Sequence, residues 1–235
     1  MTFLQSLRLP FDSLLTLLYP NLCLACQESL ASVESVLCVR CQYYISPTNY
    51  HLETPNPVLD RFWGRIELEH ACTGFIFNKG SALQHLIHEL KYNNQPKVGI
   101  ELGQQCGLLL QEVDSYNTID CIIPVPLHPK KLRQRGYNQA ALFGQGIAEI
   151  LQKPCLENHL VRAKYTDTQT KKSRLERLSN VEEAFSVQEK EMLQQQHILL
   201  VDDVITTGAT LEACAQQLLA IEGVKVSIAA IALAS

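Results

Sequence analysis

The chain has 235 residues, enough for one α/β core and a small additional module but not for two full domains. Its 20 Lys and Arg against 24 Asp and Glu give a formal net charge of −4, so any nucleic-acid binding would have to come from a local basic patch. Nine cysteines without a signal peptide indicate a reducing compartment, where thiols bind metal or pack in the core.

The first 22 residues are apolar, but Arg8, Pro10 and Asp12 interrupt them. The remaining run, residues 13–19, is too short to cross a bilayer, and no transmembrane segment is expected. This run predicts a short capped helix that packs on the next module. A contact with a membrane surface or a partner is the alternative.

Two Cys-x-x-Cys pairs follow, Cys23 with Cys26 and Cys38 with Cys41. Four thiolates at this spacing predict a tetrahedral zinc site that supplies much of the folding free energy of a small ribbon. Two disulfides or a redox pair are the alternatives. We therefore predict an N-terminal helix and zinc ribbon over residues 1–46, a proline-containing linker over 47–70, and an α/β domain over 71–235.

Apolar patterns predict the first elements of that domain: a strand at 71–77, helices at 81–90 and 98–112, and a strand at 119–125. After this second strand, residues 130–139 carry four cations and no acid, which predicts a basic loop at the edge of the sheet. A helix over 138–151 and a short strand near 156–161 come next. A second cationic segment, 162–177, predicts a mobile loop that closes over a site, with a solvated charge run as the alternative.

Residues 198–211 combine a buried strand, two acids, a turn rich in hydroxyls and a helix that runs to about residue 219. The turn, Thr206 to Thr210, lies where a strand ends and a helix begins, which is where open α/β sheets bind phosphate. Asp202 and Asp203 would repel a phosphate unless they accept hydrogen bonds from sugar hydroxyls. The pattern therefore predicts a ribose 5-phosphate site. The alternative is a buried strand followed by a helix, in which Thr206 or Thr207 serves only as the N-cap.

This stretch resembles the binding loop of the type I phosphoribosyltransferases. The resemblance implies a parallel sheet flanked by helices, and it implies that phosphoribosyl pyrophosphate (PRPP) binds with Mg²⁺. By this resemblance Asp202 and Asp203 hold the ribose hydroxyls and the turn holds the 5′-phosphate. It implies the following PRPP-binding residues: Asp202, Asp203, Thr206, Thr207, Gly208, Ala209, Thr210, Arg133, Arg135, Arg162 and Arg174. Asp202, Asp203 and Arg135 are the candidate catalytic residues among them.

More narrowly, the paired Cys-x-x-Cys motifs together with Leu-Lys-Tyr, Pro-Val-Pro-Leu-His, Arg-Gly-Tyr-Asn-Gln and the acidic stretch resemble the ComF family of competence proteins over nearly the whole chain. Many of these proteins carry further Cys-x-x-Cys pairs, whereas here only Cys72 lies between the ribbon and the helix at 81–90. The resemblance implies natural transformation, in which single-stranded DNA crosses the inner membrane beside a helicase-like partner and recombination proteins. We then expect a cytoplasmic protein, or one peripheral at the inner membrane.

Three functions compete at this stage. The first is transfer of the phosphoribosyl group to an acceptor that no stretch of the sequence specifies. The second is an adaptor of DNA uptake that responds to PRPP or a nucleotide without catalysis. The third is direct binding of single-stranded DNA through the two basic segments, for which only Tyr137 and Tyr165 offer stacking rings.

Overall fold

The computed structural model describes residues 20–31, 36–162 and 185–234. The helices within these ranges are α1 (Val39–Tyr44), α2 (Pro57–Asp60), α3 (Ala82–Tyr92), α4 (Pro96–Gln111), α5 (Pro129–Arg135), α6 (Gln139–Leu151) and α7 (Ala209–Leu219), with two 3₁₀ turns at Asp114–Thr118 and Lys190–Leu193. The strands are β1 (Ala71–Phe75), β2 (Cys121–Pro124), β3 (Leu160–Arg162), β4 (Phe185–Val187), β5 (His197–Ile205) and β6 (Lys225–Leu233). Among these elements, no helix is both long and apolar enough to span a membrane.

Four strands form one parallel sheet in the order β1-β6-β5-β2. Helices α3, α4 and α6 pack on one face and α7 on the other, so both faces are buried and the strands are mostly apolar. Because all four strands are parallel, their carboxyl ends meet at one edge. The predicted parallel sheet flanked by helices is confirmed, and so are the four helices predicted from apolar periodicity.

The main correction to the predicted strands concerns β5. The sequence pattern placed the two acids after the buried strand, but the strand includes them and continues to Ile205. The cause is β6, an interior strand that the sequence analysis did not predict. β6 keeps pairing beyond the acids, with Asp202 opposite Ala230 and Val204 opposite Ala232. The acids therefore sit on a rigid strand end.

The first basic segment is also corrected, because most of it is the helix α5 and not a loop. Pro129 begins the helix at a position that needs no N–H donor. Gly136 ends it in the left-handed region, with φ of 84°. Its four cations therefore have fixed positions next to the sheet edge.

The strand predicted near 156–161 is shorter and lies later, as β3, and it pairs antiparallel with β4. The second cationic segment begins at the end of β3. Apart from Arg162, its residues lie outside the described ranges, and they include Arg174 and Tyr165. The predicted helix at 13–19 also falls outside them.

The ribbon and the segment 47–70 pack on the α/β core. Leu37 and Ile45 of the ribbon belong to the same apolar cluster as Leu86 of α3. Within 47–70, the Asn56 amide donates to the carbonyls of Tyr50 and Ala71, both at 2.7 Å. This segment, predicted as a linker on its composition, thus lies against β1.

Candidate functional site

The two acids near the end of β5 are held by different partners. The Oδ2 atom of Asp203 forms an ion pair with Nζ of Lys91, from the last turn of α3, at 3.0 Å. The backbone N–H of Asp203 donates to Oδ1 of Asp202 at 2.8 Å. Both members of the ion pair are largely covered, with 21% of the Lys91 side chain and 18% of the Asp203 side chain exposed. This pair is therefore weakly screened by solvent.

The Asp202 carboxyl is the more buried of the two. Burial, reinforced by the neighbouring Asp203 carboxylate, raises the pKa of Asp202 to about 8. The Asp203 N–H and the Lys91 ammonium act in the opposite direction but do not cancel the effect. Near neutral pH the acid pair of the free protein therefore holds a proton, which sugar hydroxyls or a metal ion would displace.

The turn after β5 leads directly into α7. The N-cap of α7 is Gly208, which adopts φ of 80° and has no side chain with which to cap the helix. Thr207 accepts a long hydrogen bond, 3.4 Å, from the N–H of Ala209. Neither Thr206 nor Thr207 is the N-cap, so the simple capping alternative does not describe this turn. The first N–H groups of α7 face a hollow of about 40 Å³ that Asp202 and residues 204–211 line.

Residues 61–65 support this turn from outside. The guanidinium of Arg61 donates to the carbonyl oxygen of Thr206, and that of Arg65 donates to the carbonyl oxygen of Thr207 at 3.4 Å. Arg65 also forms an ion pair with Glu212 of α7. These two guanidinium contacts therefore involve carbonyl oxygens of the turn and not its N–H groups.

Phe62 lies directly beneath the turn. Its ring is buried, and a Cβ atom built on Gly208 would lie only 2.8 Å from its Cε1 atom. Position 208 therefore requires glycine for two reasons: its φ is positive, and its backbone lies too close to the Phe62 ring for a side chain.

The basic helix α5 faces the end of α3. A cavity of about 590 Å³ lies between them. It is lined by Lys91, Tyr92, Asn94, Lys131, Arg133, Gln134, Arg135, Gly136 and Tyr137. The Arg135 guanidinium lies 5.6 Å from the centroid of the Tyr92 ring and donates to Oε1 of Gln139 at 2.8 Å. Lys91 both lines this cavity and pairs with Asp203, so it joins the basic helix to the acids.

The predicted site residues thus divide into groups. Asp202 lines the hollow with Thr206 to Thr210, whereas Arg133 and Arg135 line the larger basic cavity. Arg162 is placed elsewhere: its guanidinium lies 5.3 Å from the centroid of the Phe185 ring, and it lines a third cavity of about 480 Å³ beside α5 and α6. Arg174 lies outside the described ranges.

Four residues of the site were not predicted from the sequence: Lys91, Arg61, Phe62 and Arg65. Lys91 belongs to the Leu-Lys-Tyr motif, which was noted only as part of the family pattern. The other three lie in the segment predicted as a linker, where two adjacent aromatic residues between two arginines were the available signal.

The cysteine ribbon fits a metal ion. The Sγ atoms of Cys23, Cys26, Cys38 and Cys41 all lie within 4.8 Å of one another, with 3.7 Å between Cys26 and Cys38. A tetrahedral zinc thiolate site needs sulfur atoms about 3.8 Å apart, which follows from Zn–S bonds of about 2.3 Å. The N–H of Cys38 points at Sγ of Cys23 and the N–H of Cys41 at Sγ of Cys38, each at 3.4 Å.

The thiols of the ribbon differ in acidity. Burial opposes ionisation of Cys23, but N–H groups of Cys38, Cys26 and Ala25 outweigh it and lower its pKa to about 7. Burial and the neighbouring thiols raise the pKa of Cys41. A bound cation would remove this conflict by stabilising all four thiolates together.

Known proteins that are similar to this chain indicate its family. A profile described as "Phosphoribosyl transferase domain" matches residues 138–235. Competence protein F of Haemophilus influenzae is 37% identical over 133 residues, which cover 55% of this chain and 58% of that protein. DNA utilization protein YhgH of Escherichia coli O157:H7 is 29% identical over 210 residues, which cover 85% of this chain and 84% of that protein. These relatives support the resemblance of the chain to the ComF family.

As this resemblance implies, the sheet and its helices form a type I phosphoribosyltransferase-like domain behind a ribbon of four cysteines. The match to competence protein F spans 58% of that relative's length. Among solved structures, the glutamine PRPP amidotransferase from B. subtilis is 20% identical, with a TM-score of 0.41, over 60% of this chain and 30% of that chain.

Proposed function

We propose that this protein binds PRPP with Mg²⁺ at the carboxyl edge of its sheet. Asp202 and Asp203 accept hydrogen bonds from the ribose hydroxyls, and the turn from Thr206 to Thr210 binds the 5′-phosphate. Mg²⁺ enters with the ligand, whose oxygens are the donors it prefers. Arg133 and Arg135 neutralise the pyrophosphate, together with Arg162 and Arg174 of the second basic segment.

One observation carries this proposal. Two adjacent acids lie near the end of a rigid strand, and the turn after that strand leads into a helix that has glycine, not a capping side chain, at its N-cap. An anion can therefore reach the first N–H groups of α7, and the positive end of that helix favours it. The acids can accept hydrogen bonds from sugar hydroxyls but would repel a phosphate. The acids therefore fit the ribose of a phosphorylated ribose, and the turn fits its phosphate.

The chemistry at this site is a displacement at the anomeric carbon. An acceptor forms a bond to that carbon as the bond to pyrophosphate breaks, and the leaving group takes the electron pair. Asp202, Asp203 and Arg135 are the residues proposed to act on the reacting ligand. Cations that neutralise the departing pyrophosphate stabilise the transition state.

The biological role we propose is natural transformation. Its support is the name of the Haemophilus relative, a competence protein, and that of the Escherichia relative, a DNA utilization protein. We propose helicase-like and recombination proteins of DNA uptake as partners, in the cytoplasm or at the inner membrane. Zinc in the ribbon would hold the N-terminal module in the shape that packs on α3.

A non-catalytic role is the second candidate, and the ion pair between Lys91 and Asp203 favours it. This contact links the acids to the cavity beside α5, so a ligand that displaces Lys91 also alters the surface formed by α3 and α5. An adaptor that responds to PRPP needs this coupling but no acceptor.

Calorimetric titration with Mg²⁺-PRPP, followed by an assay of pyrophosphate release, tests both candidates. Binding with release that depends on a nitrogen acceptor supports the transferase. Binding without release, alone or with single-stranded DNA, supports the adaptor. The absence of heat and of protection against thermal unfolding at millimolar ligand would contradict the PRPP site itself.

A further inference from the structure

We propose that Trp63, which is carried by the segment that contacts the candidate phosphate-binding turn, is a stacking platform for a nucleobase. The ligand is a planar heteroaromatic ring, either a free base or a base of single-stranded DNA. The inference goes beyond the proposed function, because ring binding at Trp63 requires neither PRPP nor transfer.

The first observation is exposure. Trp63 is 86% exposed, the largest value among the exposed large apolar side chains that the structure describes. Tryptophan is usually mostly buried, since its indole gains more than any other side chain from leaving water. The neighbouring Phe62 is 1% exposed, so the local backbone presents one ring to the core and the next to solvent.

The second observation is position. Arg61 and Arg65 flank Trp63 in sequence, and both reach carbonyl oxygens of the phosphate-binding turn. The indole is therefore carried by a segment fixed on the candidate ligand site. Asn56 anchors the beginning of this segment and Phe62 anchors its middle, so the exposed ring is attached to a rigid base.

The third observation is free space. Gly64 adopts φ of 71°, and a Cβ atom built on it would meet no atom within 4 Å. No residue beyond its two chain neighbours therefore crowds the backbone at Gly64, next to the exposed indole. Arg61 forms no ion pair with an acid within the described ranges, so a positive charge lies close by for the phosphate of a nucleotide.

These features fit a nucleobase better than an aliphatic or peptide ligand. Base–aromatic stacking uses one exposed ring face and tolerates different bases, while a nearby cation attracts the phosphate. Tyr137, one of the two rings considered from sequence, is unsuitable because its hydroxyl donates to the carbonyl of Leu90 at 2.8 Å and its side chain is half-buried.

The experiment uses the fluorescence of the full chain, in which Trp63 is the single tryptophan. The probes are adenine, thymine, an oligothymidylate and ribose 5-phosphate. We expect saturable quenching by the bases, by the oligothymidylate, or by both, and none by ribose 5-phosphate, which has no ring. Quenching by bases indicates a small-molecule source, and quenching by the oligonucleotide alone indicates single-stranded DNA. Unchanged fluorescence with every ring-containing probe would overturn the proposal.

Variants then test the role of the ring. Trp63→Leu should weaken calorimetric binding of the quenching probe about 5-fold to 100-fold, whereas Trp63→Tyr should retain most of the affinity. Tyr43→Leu is the matched control, because Tyr43 is 83% exposed but lies on the ribbon. Equal weakening by Trp63→Leu and Tyr43→Leu would contradict a specific platform. Ribose 5-phosphate should bind Trp63→Leu as it binds the unmodified protein, so failure of the phosphate site is distinguished from failure of the ring site.

Discussion

Lys91 and Asp203 lie 112 positions apart in the sequence, yet their Nζ and Oδ2 atoms are 3.0 Å apart. The contact connects the last turn of α3 to the end of β5, and it is the only ion pair with either acid within the described part of the chain. It lowers the electrostatic cost of two adjacent carboxylates. It also means that a ligand's Mg²⁺ or hydroxyls must share Asp203 with an existing cation.

Substitution of Lys91 should therefore weaken PRPP binding and shift its pH dependence. In Lys91→Met the acids lose the cation that lowers the pKa of Asp202, so the pair holds its proton to higher pH. We expect affinity for Mg²⁺-PRPP to fall about 10-fold at neutral pH, as for loss of one charged hydrogen bond, and to recover partly as pH rises. Calorimetry across pH measures this. Lys97→Met, an exposed lysine on α4, is the control, and equal affinity in the two variants would refute the role of Lys91.

Asp202 should make the protein less stable as pH rises. Its pKa is raised from 3.8 to about 8 in the folded state, so the folded protein keeps a proton that the unfolded chain releases. The free energy of unfolding therefore falls between about pH 4 and pH 8. In Asp202→Asn this loss disappears, and we expect a melting temperature a few degrees above that of the unmodified protein at pH 8, since each kcal/mol shifts it by about 2–4 °C.

The same Asp202→Asn variant should lose binding of PRPP, so stability and binding change in opposite directions. Glu191→Gln, an exposed acid at the opposite edge of the sheet, is the control and should change neither. If Asp202→Asn is no more stable at pH 8 than the unmodified protein, ionisation of Asp202 does not lower the free energy of unfolding.

Local sequence patterns predicted the parts of the fold that depend on local chemistry. Helices with one apolar face, the acid pair, the turn and the cysteine spacing were all found where periodicity and spacing indicated. β6 was missed because no polar residue interrupts residues 228–234, which gives neither a strand alternation nor a helical face. A strand that is buried on both faces lacks an alternating pattern, so it can be recognised only once the strands and helices packed around it are known.

The unpredicted part of the site comes from contacts over long sequence distances. Arg61 reaches Thr206 across 145 positions, and the polar, proline-containing segment around it gave no indication of that contact. α5 was predicted as a loop because its cations hid two helix signals, a proline at its start and a glycine just past its end. The basic helix and the support of the turn could therefore be located only from the structure.

The charge of α5 should act on PRPP directly. Arg133 is exposed and lines the basic cavity, whereas Arg135 is already bound to Gln139 and Tyr92, so Arg133→Glu changes charge with less effect on packing. We expect weaker Mg²⁺-PRPP binding, with a dependence on salt that is less steep than in the unmodified protein. Lys190→Glu, at the opposite edge, is the control. If single-stranded DNA also binds here, its salt slope should decrease in the same variant by about one unit.

Metal in the ribbon should be required for its fold. In Cys26→Ser one of four thiolates is lost, and we expect metal content to fall well below one ion per chain, with increased proteolysis of the first 46 residues. Cys155→Ser removes a thiol outside the cluster and should retain the full metal content. Elemental analysis with limited proteolysis measures both, and full metal content in Cys26→Ser would exclude that residue as a ligand.

Gly208 should tolerate no side chain, and Gly80 allows the two causes to be separated. Both glycines have positive φ, 80° and 79°, but a Cβ on Gly80 would meet no atom within 4 Å whereas one on Gly208 would press on Phe62. Gly80→Ala should therefore show only the backbone cost, about 1–2 kcal/mol of unfolding free energy. Gly208→Ala should lose more stability and should also lose affinity for ribose 5-phosphate, because the turn must move away from the ring. Adding Phe62→Leu should restore part of that affinity but none of the backbone cost. Thermal unfolding and calorimetry distinguish these effects, and equal losses at the two glycines would show that Phe62 does not position the turn.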